Sequence, residues 1–225
     1  TWAELADGPA AAQWCQRLLD AAPGDKIAVG LARDIFDAGE APDQLIPLLR
    51  AHYEGTEAWA DLVDVLTAEV GLTDDPEDRY GLLLETADLL EARLERYDEA
   101  YEACQRALGI RADAPELRER TEALAARVDG LAGFADLLAG FAGLPGHDAP
   151  LEIPLEDDGI RAICGRLATL AEETLGDDAL SIMALQRSLE VDPDQRDVMD
   201  RLAPLLRRAS RWEELLELLK EKEKL

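Results

Sequence analysis

Apolar positions recur along this chain with the spacing of a helix almost everywhere. In DRYGLLLETADLLEARLERY, Leu83, Ala87, Leu90 and Leu94 follow at steps of four, three and four, which puts them on one helical face. Leu82, Leu84 and Leu89 widen that face, as in a helix buried on more than one side. Period-two alternation is confined to PLEIPLE, where Leu151, Ile153 and Leu155 alternate with polar residues or proline. Breakers arrive at short intervals: Pro23-Gly24, Gly39 to Pro42, Gly55, Asp74-Asp75-Pro76, Gly109, Gly130, Gly176 and Pro193. Asp75 ahead of Pro76 reads as an N-cap with proline in the first turn. The pattern predicts about twelve helices of roughly 11 to 19 residues, joined by loops mostly under about six residues.

The helices echo one another. Gln-Arg pairs at Gln16, Gln105 and Gln186 sit in similar surroundings, and WADLVDVL, FADLLAGF and WEELLELL begin at Trp59, Phe134 and Trp212. Both signatures return at roughly 80 residues, a unit of two helix pairs with roughly 40 residues per pair, the mark of stacked helical hairpins. Within the Gln-Arg copies, Ala100 and Ala107 stand two turns apart on one face, matched by Ala11 and Leu18 and by Ser181 and Ser188. Small residues there predict close approach of another helix. Leu19, Leu108 and Leu189 follow as buried anchors, and Pro23 and Pro193 stop the helix.

YDEAYEACQRAL resembles the second helix of the tetratricopeptide repeat family, and SLEVDP is similar to that helix's exit. The match is best over 76–115 and 160–195. The resemblance implies an all-α solenoid of antiparallel hairpins in a right-handed superhelix, whose first helices line a concave groove that takes peptides. Ala112 stands where the family usually has proline, the first helices lack the usual Trp and Gly, and Leu94 to Tyr97 makes a longer turn. The first unit is irregular and is expected to carry an extra helix over 25–39. Residues 1–225 read as one array and as a slice of a longer one. Trp2 to Leu5 repeats the spacing of Trp59 to Leu62 and Trp212 to Leu215, and only Lys220, Lys222 and Lys224 hint at a cap.

Charge narrows the partners. With 23 basic and 49 acidic residues the net charge is −26, a field that repels nucleic-acid phosphates and anionic lipid. The least charged stretch, 130–146, contains Asp136 and Pro145 and is too short for a bilayer, so no membrane insertion is expected. Apart from Lys26 and the three terminal lysines the basic residues are arginine, which reads as the bias of a GC-rich, bacterial genome. Cys15, Cys104 and Cys164 form no close pair, which favours a reducing compartment such as the cytoplasm. Cys15 and Cys104 share a repeat position with Leu185, so they read as core filler.

His52 and His147 lie far apart in sequence and offer no zinc spacing. The acidic runs Asp74-Asp75, Glu156-Asp157-Asp158 and Asp177-Asp178 lack the ladder of a calcium loop and suit helix N-termini. A Gly-rich phosphate loop, a nucleophile elbow and a Ser/His/Asp set are all missing from the sequence, so no catalytic residue, metal or cofactor is expected.

The expectation is a non-enzymatic scaffold that binds a partner protein or extended peptide in the concave groove. The alternative is an accessory or regulatory domain of a larger enzyme or signalling protein. Oligomeric state is left open. Tyr80, Leu84, Asp88 and Glu91 would form an acidic groove wall, and Arg118, Arg127, Arg201, Arg207 and Arg208 a basic one. Reversing Arg201 and Arg207 should leave stability within about 1 kcal/mol. The Pro-rich segment 144–158 interrupts the helices. It reads as a loop packed on the chain and covering the apolar helix over 131–143, or as a docking arm through Leu151, Ile153 and Leu155.

Overall fold

The computed structural model describes residues 8–22 and 25–224. Among them the chain forms twelve α-helices and no strand. It divides into two compact units, Thr1–Ala103 and Cys104–Leu225, with the helix α6 (Tyr97–Ile110) carrying the boundary.

The first unit holds α1 (Gly8–Ala21), α2 (Lys26–Asp37), α3 (Pro42–Gly55), α4 (Trp59–Leu72) and α5 (Pro76–Ala92), each packed on the next. Two helix starts follow directly from their sequence. Asp25 Oδ1 accepts from the backbone N–H groups of Ile27 (2.9 Å) and Ala28 (3.1 Å), which opens the extra helix expected near 25–39. Asp75 does the same for Glu77 (2.9 Å) and Asp78 (3.1 Å), ahead of Pro76 in the first turn of α5. The core gathers Cys15, Ile35, Leu45, Leu49, Leu62 and Leu66. Above it, Arg50 of α3 ties three helices together. Its Nη1 donates to Glu69 of α4 at 2.7 Å and its Nη2 to Glu85 of α5 at 2.8 Å.

One expectation fails here. Leu18 stands at a position where small or buried residues were expected, yet it is 46 % exposed. α1 packs on α2 and α3, and it does so through Ala11, Ala12, Cys15 and Leu19, which leaves Leu18 on the outer side. Trp2 to Leu5 and the Pro23 stop lie outside the described residues.

The second unit contains α7 (Pro115–Arg127), α8 (Leu131–Phe141), α9 (Asp157–Leu170), α10 (Asp178–Val191), α11 (Arg196–Arg208) and α12 (Trp212–Lys224). A single π turn, Ala171–Leu175, extends α9. The most extensive pairing is α9 with α10, followed by α10 with α11 and α11 with α12. The small positions behave as their spacing predicts: Ala100, Ala107 and Ser181 are fully buried, and Ser188 nearly so.

A repeated turn closes these helices. Glu57, Asp129 and Ser210 each adopt the left-handed conformation, at φ 55°, 55° and 57°. The following N–H then reaches back over the helix end: Ala58 to Tyr53 O (2.9 Å), Gly130 to Ala125 O (2.7 Å) and Arg211 to Leu206 O (2.9 Å). After α5 and after the π turn the loop is wider. Glu95 (φ 54°) and Gly176 (φ 67°) occupy the left-handed position, with Arg96 N–H bonding Leu90 O and Asp177 N–H bonding Ala171 O, both at 2.9 Å. The longer turn read at Leu94–Tyr97 is therefore the wider of these two left-handed turns.

Between α8 and α9 the backbone carries no helix from Ala142 to Glu156, close to the segment expected to be irregular. This arm lies against glycines. A β-carbon on Gly109 would stand 2.7 Å from the Pro150 carbonyl oxygen, and Gly109 O accepts from Glu152 N–H at 2.8 Å. Arg187 of α10 donates through Nε to the Ala142 carbonyl at 3.0 Å, which fixes the start of the arm.

Candidate functional site

The last three helices enclose a cleft of about 720 Å³ inside the second unit. α10 ends at Val191, the extended Asp192 (φ −139°) and Pro193 turn the chain, and α11 begins at Arg196. Gln195 closes that corner by donating to Ser188 O at 3.0 Å and Asp192 O at 2.9 Å. The Ser210 turn then brings α12 back beside α11. No residue of α12 is fully buried, so the space between it and α10 stays open.

The floor is apolar, built from Leu189, Met199, Leu202, Leu206 and Leu218. Leu189, expected as a buried anchor, is only half-buried because it borders this opening. The rim is acidic, with Glu190, Asp194, Glu217 and Glu221, against the cations Arg211 and Lys224. Both cations are already matched. Arg211 donates Nε and Nη2 to Glu214, each at 2.6 Å, and Lys224 pairs with Glu221. Arg211, with a smaller contribution from Gln186 donating at 2.6 Å, holds the Glu214 carboxyl below the ordinary carboxylate range. Asp194 and Glu217 have no ion pair among the described residues. The opening therefore presents an apolar floor under net negative charge, which suits an apolar side chain flanked by cationic ones.

A second cavity of about 500 Å³ lies between α1 and α3 in the first unit, where Leu19, Pro47, Leu48 and His52 line it. Its lining contributes one carboxylate, Asp20, and no cation apart from any charge on His52.

The residues singled out for a groove are placed as follows. Tyr80, Leu84 and Glu91 are half-buried on α5 and Asp88 is exposed there, all in the first unit, whereas the five arginines belong to the second. Arg118 is half-buried and donates Nη1 to Ala112 O at 2.8 Å, and burial pulls its pKa down. Arg201 donates Nε to Glu172 (2.9 Å) and Nη2 to Thr169 Oγ1 (3.0 Å), while Ser181 Oγ donates to the same Glu172 at 2.7 Å. Arg208 grips Asp178 at 2.6 Å. Arg127 and Arg207 are exposed in the last turns of α7 and α11. On the arm, Leu151 and Leu155 are half-buried and Ile153 is 44 % exposed. None of these residues lines the α10–α12 cleft. Pro193 beside Leu189, followed by a Glu-rich last helix, was the signal available for it.

Among the described residues no grouping of three or more His, Cys, Asp or Glu side chains is placed to hold a metal, and no helix is long and apolar enough to cross a membrane. Cys15, Cys104 and Cys164 are free and buried, and burial pushes the Cys164 thiol up to about 12. His147 Nδ1 lies 2.7 Å from Asp136 at the surface.

No protein-family model matches the chain, and no curated protein does. Among solved structures, the crystal structure of BtubC (BKLC) from P. vanneervenii aligns over 96 % of this chain and 87 % of that one, at 14 % identity and a TM-score of 0.35. A likeness at that score bears on neither function nor partner.

Proposed function

We propose that this chain is a non-enzymatic protein-interaction module, a solenoid of tetratricopeptide-like hairpins whose second unit takes a partner segment in the α10–α12 cleft. The observation that carries the binding reading is the cleft itself, an apolar floor of about 720 Å³ under an acidic rim whose own cations are internally paired. The hairpin reading is supported by the turns. Glu95 to Asp129 and Gly176 to Ser210 are both separated by the ~34 residues of a tetratricopeptide unit. The 144–158 arm falls between these two regular stretches.

The sequence pointed to a peptide of mixed charge. With Arg201 and Arg208 neutralised by Glu172 and Asp178, the reading becomes a basic segment with an apolar anchor. Attraction of such a segment to a −26 protein also raises its rate of encounter.

A 12-residue synthetic probe of alternating leucine and arginine, titrated by fluorescence anisotropy, tests this. Binding should weaken at least tenfold when Glu217→Lys and Asp194→Lys are combined, and should fade as salt rises. Equal binding of a leucine–glutamate probe, or affinity untouched by the double reversal, overturns the assignment.

A further inference from the structure

The chain has three serines, and two of them are sealed. Ser181 and Ser188 of α10 are 0 % and 2 % exposed, whereas Ser210 stands exposed in the turn between α11 and α12. Its backbone is left-handed, at φ 57°, and its N–H donates to Arg207 O at 3.2 Å. Its hydroxyl has no hydrogen bond among the described residues. A nucleophilic oxygen is thus presented outside both helices with nothing to hold it.

Four of the described turns set a residue other than glycine in this conformation two positions ahead of the next helix. The other three residues are Glu57 before α4, Glu95 before α6 and Asp129 before α8. All three are exposed although more helices follow them, so exposure belongs to the turn itself. Each carries a negative charge where Ser210 has a neutral hydroxyl. A phosphate on Ser210 would supply that missing charge. The surroundings favour it. Arg207, Arg208 and Arg211 flank Ser210 in a chain of net charge −26, and Arg207-Arg208 is the sequence's only adjacent pair of cations. Arg208 is held by Asp178 and Arg211 by Glu214, whereas Arg207 is exposed with no ion pair among the described residues. One arginine within a turn of the hydroxyl is therefore available to a phosphate, which it binds by charge-assisted hydrogen bonds.

We propose that Ser210 is a phosphorylation site for an arginine-directed serine kinase, an enzyme whose own acidic groups read cations two and three residues ahead of the hydroxyl. Ser210 Oγ attacks the γ-phosphorus of the ATP that the kinase holds. The new O–P bond forms as the bond from that phosphorus to the β–γ bridging oxygen breaks. ADP leaves, and the hydroxyl proton passes to the kinase's catalytic carboxylate. The product carries about −1.5 to −2 charge at neutral pH, somewhat more than the carboxylates of Glu57, Glu95 and Asp129 carry in their turns. It also stands just ahead of α12, whose N-terminal end favours an anion. The turn therefore accepts the modification without unfolding.

The test is incubation of the folded 225-residue chain with ATP and the catalytic subunit of cyclic-AMP-dependent protein kinase, an arginine-directed enzyme. Peptide mass spectrometry then locates the phosphate. A single phosphate is expected, on Ser210, with the helical circular dichroism unchanged. Ser210→Ala should abolish incorporation. Arg207→Ala should slow it roughly tenfold or more, while its melt stays within about 2 °C of wild type because the residue is exposed. A folded chain that takes up no phosphate overturns the proposal, as does phosphate on another residue or uptake only in urea. A rate indifferent to Arg207→Ala also overturns it, since the paired arginines would then not be what the kinase reads.

Discussion

A β-carbon on Gly140 of α8 would stand 2.6 Å from the β-carbon of Ala149, closer than side-chain carbons approach. The Pro-rich arm is thus seated on α8 through a missing side chain. In a helix interior, Gly→Ala ordinarily stabilises by ~0.5–1 kcal/mol. Gly140→Ala is expected to have the opposite sign and to destabilise by ~1–3 kcal/mol, because the arm backbone at Asp148 also lies within 2.8 Å and must move. Gly81→Ala on α5, where nothing lies within 4 Å, should stabilise. Urea melts of the two variants read the sign directly.

Arg201 and Arg207 should behave differently, and reversing both should cost more than the ~1 kcal/mol expected from the sequence, because Arg201 is bonded to Glu172 and Thr169. Arg201→Glu sets a carboxylate beside Glu172 and strips Thr169 and Glu172 of their donor, so a loss of ~2 kcal/mol is expected after discounting for partial exposure. Arg207→Glu changes an exposed charge and should stay within ~0.5 kcal/mol. Thermal melts of the single variants separate them. Equal effects would show that the Arg201 contacts contribute nothing in solution.

Arg50→Ala should cost ~1–2 kcal/mol, since it leaves Glu69 and Glu85 facing each other half-buried without their shared donor. In a double-mutant cycle with Glu85→Ala the coupling should exceed ~0.5 kcal/mol. Additivity would mean that the bridge across α3, α4 and α5 is only geometric.

The Cys164 thiol titrates near 12 when folded, against ~8.5 in an unfolded chain, so the folded state keeps a proton that the unfolded state releases. Its contribution is complete below ~8.5 and declines as pH climbs toward 12, at up to ~1.4 kcal/mol per unit. Cys164→Ala should flatten the fall in stability above pH ~8.5 relative to wild type, as denaturant midpoints at several pH values would show. Ellman's reagent should leave Cys15, Cys104 and Cys164 unmodified in the native protein and titrate all of them in guanidinium.

Helices were legible in the sequence because their causes are local. The four-three-four spacing around Leu83 and Leu90, the cap at Asp75, the break at Pro193 and the irregularity near Pro150 all act within a turn or two of backbone. The echo also foretold that Ala100, Ala107, Ser181 and Ser188 would be buried, because a helix that approaches closely leaves no room for a larger residue there; at Leu18, the matching position of the first copy, no helix covers the side chain and the echo misleads. What an arginine does is not local. Arg201, Arg207 and Arg208 look alike along the chain, and only the placement of Glu172 on the π turn and Asp178 at the start of α10 matches two of them and leaves the third in solvent. Likewise Leu189 and Leu216 sit at repeat positions that bury a side chain elsewhere, and both are open here because burial depends on which helix comes to lie across them. Periodicity marks the face a helix offers, while the neighbour that covers it, or fails to, is set by packing between segments far apart in the chain.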